Sequence, residues 1–406
     1  MTQTAERARR DTGRRSPPNA RAWMLAGAVA GAALYVMRQR LRTVEPGIVD
    51  WETAERIATD RLRRTPGSLS RADLQDALPS YRAAMEMIVP LLERELGRPL
   101  PGVVERYAVV DRASWVEANL DTFRDLIGHL ETALADELRP RRGDVGGAFV
   151  LLANRFLTTR QIGYLLAFMG QRVLGQYDLA LLSAEAQPGQ LLFVEENVRA
   201  TARHLGLPVR DMRTWVALHE TTHAFEFEAH PWVRPYLRER LERQLAAFID
   251  DARLFQARGM GTLVRRWREG NADADSWLES LMTPEQRKLF QETQVVMSLL
   301  EGFSDWVMDD IGAGVLPNVS EMRARFEERR ARRSPIERLV FRLTGLDLKL
   351  EQYRRGHAFV SGVVAGGGRE ALDRLWAGPH MLPTVPELED PTGWLARTAT
   401  PADGAA

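Results

Sequence analysis

His219, Glu220 and His223 stand in the order His-Glu-x-x-His, inside Trp215-Val-Ala-Leu-His-Glu-Thr-Thr-His-Ala-Phe-Glu-Phe-Glu-Ala-His-Pro231. On a helix the two histidines are one turn apart on the same face. Both imidazoles then reach one zinc ion, and Glu220 sits beside them to take a proton from bound water. The pattern points to a hydrolytic metal site. Apolar Trp215, Val216 and Leu218 lead into it, and neither Gly nor Pro interrupts it before Pro231. That predicts a buried helix from near Asp211, ended by the proline. The rival reading is a helix whose histidines only bond polar neighbours.

A catalytic zinc needs a third protein ligand and one open position for water. Glu226 and Ala229 occupy the places where a metzincin has Gly and His, so that arrangement is excluded, although His230 follows closely. Glu226 and Glu228 would have to share one helix with both histidines, and Glu228 points to a different face. Glu301 is the better choice. It lies in Val295-Val-Met-Ser-Leu-Leu-Glu-Gly-Phe-Ser-Asp-Trp-Val-Met-Asp309, an apolar helical run in which Glu301 and Asp305 are spaced i,i+4 and share a face. Carboxylates on such a helix are costly unless they meet a metal or, in the rival reading, buried arginines.

These residues carry a family likeness. The run HETTH with Phe227 and Pro231-Trp232 behind it, then LLEG with Asp305, resembles the zincin-like metallopeptidase type 2 family, whose members are labelled as hydrolases associated with deazaflavin-coenzyme biosynthesis. The resemblance extends from Ile48-Val-Asp-Trp51, through Val110-Asp-Arg112 and Trp115, to Leu382-Pro-Thr384 and Pro391 to Trp394. It implies a gluzincin-like site in which His219, His223 and Glu301 bind zinc, Glu220 is the base and Asp305 supports the ligands from behind. Phe303 and Trp306 depart from it, standing where more polar residues are expected around the acids.

Lys and Arg number 55 and Asp and Glu 55, so no global charge draws the chain to nucleic acid. There are no cysteines, which excludes disulfides, thiolate chemistry and a Cys-ligated metal; zinc must use His and carboxylate. Residues 1–21 are Arg-rich and read as a disordered basic tail. Residues 22–37 are uncharged, with an Ala/Gly-rich helical stretch reaching 43, and sit just short of the usual spanning length. A membrane anchor and a soluble or peripheral helix are the two readings, so cytoplasmic and single-pass anchored placements both stand.

The metallohydrolase domain is expected over residues 48–396, with a disordered tail at 397–406. Helices are expected at 51–62, 70–96 with Ser70 as N-cap, from Asp111 or Ser114 through Leu130, 149–174, 197–204, 236–258, 263–268 and from Thr283-Pro284. Strand-like runs cover 103–110, 177–182 and 190–195. A short sheet edge beside the His-Glu-x-x-His helix is the zincin arrangement, in which a strand can pair with an extended substrate. Arg323 to Arg333 reads as a solvated helix face, because no aromatic residues interleave its arginines. A helix over 346–364 carries Tyr353 and His357, candidate oxyanion donors, and the Gly366-Gly-Gly368 triplet is expected to stop it. The expected architecture is α+β, mostly helical, with a zincin-like core and a small sheet. The expected chemistry is zinc-dependent hydrolysis of a peptide or protein substrate; the alternative is a zincin scaffold that binds without turnover.

Overall fold

The computed structural model describes residues 47–100, 102–138, 145–177, 190–258, 282–331 and 346–399. The expected anchor at 22–37 and the helix at 263–268 lie outside them. Among the described residues no helix is long and apolar enough to cross a membrane.

The chain is mostly helical around one small sheet, as the alternation of long helical periods with three short apolar runs implies. Among the described residues the longer helices are α1 (Trp51–Arg63), α2 (Arg71–Leu96), α3 (Arg112–Leu138), α4 (Val145–Gly170), α5 (Glu195–Leu205), α6 (Val209–Glu228), α7 (Val233–Arg258), α8 (Pro284–Asp310), α9 (Val319–Ala331), α10 (Leu346–Leu375) and α11 (Pro391–Ala399). The strands are β1 (Tyr107–Val110), β2 (Gly175–Tyr177) and β3 (Leu191–Val194), in the order β1-β3-β2. β3 runs parallel to β1 and antiparallel to β2.

β3 is the central strand, and Leu-Leu-Phe-Val is buried along its whole length. Alternate side chains enter different cores, as the two-residue period of a strand requires. Leu191 and Phe193 join a large core with Tyr81, Met212, Leu218, Leu299, Phe303 and Trp394. Leu192 and Val194 pack with Ala58, Leu62, Trp115 and Leu166 on the other side. The sheet is thus a layer between two sets of helices.

Several helix starts follow their sequence signals. Ser70 caps α2 in a reciprocal capping box with Asp73, and Thr283 caps α8 in another with Gln286. The amide of Ser114 donates to Asp111 at 2.6 Å, which fixes the entry into α3. Other features answer to tertiary contacts. The glycine triplet does not stop α10: the chain kinks at Gly368 (φ 63°, ψ −158°) and the helix resumes. Ala371, Leu372 and Leu375 beyond the kink are buried in the large core, which draws the segment back into a helix. A Cβ at Gly366 or Gly367 would press on the Leu395 side chain at 2.7 or 2.8 Å, so the triplet lets α11 approach closely. Order also continues past 396 to Ala399, where a tail was expected. Arg397 holds this end down, bonding Glu387 and the carbonyls of His380 and Leu382. On α9, Arg323 turns back to Asp309 and Arg325 to the carbonyls of Leu205 and Gly206, so these two arginines tie the charged face to the body.

The helix that carries Glu301 is locked in place by one glycine pair. At the crossing of α8 and α10, a Cβ on Gly356 would lie 1.8 Å from the Ser298 carbonyl oxygen, and one on Gly302 would lie 2.1 Å from the Gly356 carbonyl carbon. The obstacles are backbone, so no rotamer change relieves them. Gly356→Ala is therefore expected to cost about 3 kcal/mol or more by forcing the helices apart. Chemical denaturation checks this: an unchanged midpoint would mean that the crossing has room for a methyl group.

Candidate metal centre

α6 is buried along most of its circumference, with Met212, Thr214, Val216, Leu218, Thr221 and Phe225 all enclosed. A helix so covered cannot rotate without opening the core, so the direction of its polar side chains is fixed by packing. His219 and His223, four residues apart, bring their Nε2 atoms to 3.2 Å. Glu301 arrives from α8, with Oε2 3.9 Å from Nε2 of His219 and 3.8 Å from Nε2 of His223. One donor atom from each of the three residues lies within 4.8 Å of the others. Zinc bonds of roughly 2.0–2.1 Å in a tetrahedron set donors about 3.3 Å apart. The histidine pair already has that spacing, and a shift of about half an ångström brings Glu301 to it. Donor type and geometry fit zinc.

Both imidazoles are held from behind. Nδ1 of His219 is 2.9 Å from Ser304 Oγ, and Nδ1 of His223 is 2.7 Å from Glu226 Oε2. With each Nδ1 occupied outward, each Nε2 is left facing Glu301. Ser304 and Glu226 were not assigned this part by the sequence. Glu226, three residues past His223, was legible as a neighbour but was weighed as a ligand; Ser304 carries no signal that separates it from any helical serine. Burial opposes a charge on His223, but Glu226 and then Glu301 and Glu220 favour it, and the net effect raises its pKa. Burial also raises the Glu226 carboxyl, against the pull of His223.

Glu220 faces the sheet. Its Oε2 accepts a hydrogen bond from the Tyr177 amide at 3.0 Å. A Cβ at Gly175 would lie 2.7 Å from Glu220 Cγ and 2.9 Å from its Oε1, so glycine there lets β2 come this close. β2 in turn is pinned from its other face: Trp115 Nε1 donates to Gln176 Oε1 at 2.6 Å, and Gln176 Nε2 to Asn119 Oδ1 at 2.7 Å. The expected sheet edge does lie beside the site, but the Tyr177 amide is spent on Glu220. Its phenol bonds Glu228, and Arg234 donates to the same phenol at 3.0 Å.

Other sequence candidates have partners of their own. Asp305 has its carboxylate 3.8 Å from Arg323. His357 is 2.9 Å from Asp309, which is eight residues and about 12 Å of helix axis beyond Glu301. The Tyr353 side chain lies outside the described residues. His230 places Nδ1 3.0 Å from the Glu226 carbonyl and stacks on Trp376; burial pushes its pKa down to about 4, so it is neutral. Phe303, conspicuous in the sequence for its apolarity, packs between Phe225 and Trp376 and walls the core beneath the centre.

Comparison with known proteins gives two matches. A family model described as zincin-like metallopeptidase matches residues 49–395. A crystal structure of a proposed hydrolase with a novel fold from Chloroflexus aurantiacus is 36% identical, with a TM-score of 0.64; the match covers 86% of this chain and 99% of that one. No curated protein matches the chain.

Proposed function

Given that the chain belongs to the zincin-like metallopeptidase family, we propose that it is a zinc-dependent hydrolase acting on amide bonds, with a peptide or protein as substrate. The observation that carries this reading is the convergence of His219, His223 and Glu301 from two helices on one point, with Glu220 adjacent in the chain. The description of the Chloroflexus protein as a hydrolase points the same way.

His219, His223 and Glu301 would hold the ion. When bound, zinc supplies a Lewis acid that makes water nucleophilic near neutral pH and polarises a carbonyl. Glu220 takes the proton that water loses on attack and hands it to the departing amine, for which its carboxylate must be ionised and close at hand. The Tyr177 amide fixes the orientation of that carboxylate through its hydrogen bond. Pinning β2 through Gln176 keeps that amide in place. Ser304 and Glu226 fix the two imidazole planes.

Metal analysis of the purified protein and a broad peptide library test the proposal together. About one zinc per chain, with cleavage that stops on chelation and returns with zinc, is the expected result. A protein that takes up no zinc would overturn it. A zinc-loaded protein that cleaves nothing would leave the binding scaffold as the better reading.

A further inference from the structure

The two metal-facing histidines are supported unequally. Behind His219 stands a neutral hydroxyl, Ser304; behind His223 stands a carboxylate, Glu226, that is wholly buried. Burying a carboxylate costs several kcal/mol or more unless charge or hydrogen bonds compensate. Here the compensation is half made. Oε2 meets His223 at 2.7 Å, while Oε1 is buried with no hydrogen-bond partner. No arginine or lysine is paired with Glu226 among the described residues; His230, one turn on, bonds its backbone carbonyl. A glutamine or an aliphatic side chain would fill the same space more cheaply if packing were all that mattered. The cost makes sense where a cation sits on the far side of the imidazole.

We propose that Glu226 is a positioning residue for the metal centre, accepting the Nδ1 proton of His223 so that Nε2 is the free donor, and strengthening that donor with its negative charge. This rests on the zinc reading above. With Nδ1–H committed to Glu226, the ring is fixed in tautomer and in plane, the arrangement that makes a histidine a good ligand. The charge balance agrees: Glu220, Glu226 and Glu301 surround two imidazoles, and a divalent cation offsets most of that excess. The Glu226 spacing of i,i+3 from His223 puts both groups on one helix, so no loop motion separates them.

The test is zinc affinity, measured on metal-free protein by competition with a chelator of known strength, for the natural chain and Glu226→Gln. Glu226→Gln is expected to bind zinc roughly 10–100-fold more weakly and to shift the visible absorption bands of the cobalt-substituted protein. Equal zinc affinity and unchanged cobalt bands in a folded variant would overturn the proposal while leaving the zinc reading intact. Failure of the natural chain to bind zinc would sink both. Should Glu226→Gln not fold, nitrogen-15 histidine spectra of the zinc-loaded natural protein decide. A His223 Nδ1 proton protected from exchange supports the assignment, and a Nδ1 without a proton overturns it.

Discussion

Glu220→Gln is expected to retain a full complement of zinc and to lose roughly two to four powers of ten in the rate of hydrolysis. The amide is nearly isosteric with the carboxylate and can still accept the Tyr177 hydrogen bond through its oxygen, so β2 and α6 should keep their contact. Glu220 is not one of the three converging donors, which are His219, His223 and Glu301. What the amide lacks is basicity: it cannot take the proton released as water attacks. Zinc content and turnover on any substrate found for the natural chain are the two measurements. Equal turnover by both proteins would remove Glu220 as the base, and loss of zinc would mean that it supports the metal directly.

Glu301→Ala is expected to lose stoichiometric zinc on dialysis, with affinity falling by more than the roughly 10–100-fold that loss of an outer hydrogen-bond partner costs. Its carboxylate is the one donor brought to the histidines by a different helix. The other acids near the motif are committed elsewhere: Glu226 to Nδ1 of His223 and Glu228 to Tyr177 and Arg234. His230 is turned to a backbone carbonyl and to Trp376. None stands ready to replace Glu301. Full zinc occupancy in Glu301→Ala would be the result that returns Glu226, Glu228 or His230 to consideration.

The sequence by itself determined what is local. A four-residue spacing puts His219 and His223 on one face of any helix, and Ser70 with Asp73 and Thr283 with Gln286 announce helix starts because a cap is satisfied within four residues. The likeness of the motifs extended this to the family, and the mostly helical α+β architecture followed. Glu301 was legible because an acid in so apolar a run demands an explanation. Tertiary structure decided whatever depends on contacts between segments distant in sequence. Ser304 sits behind His219 across 85 positions, and the Tyr177 amide reaches Glu220 across 43. A backbone amide has no side-chain identity by which a sequence could mark it. The same holds for glycine: Gly175, Gly302 and Gly356 are indistinguishable in the chain from glycines of turns, and only their neighbours show that each is small because something must come close. The triplet at 366–368 is the reverse case. Its local preference is to end a helix, and burial of Ala371, Leu372 and Leu375 beyond it outweighs that preference.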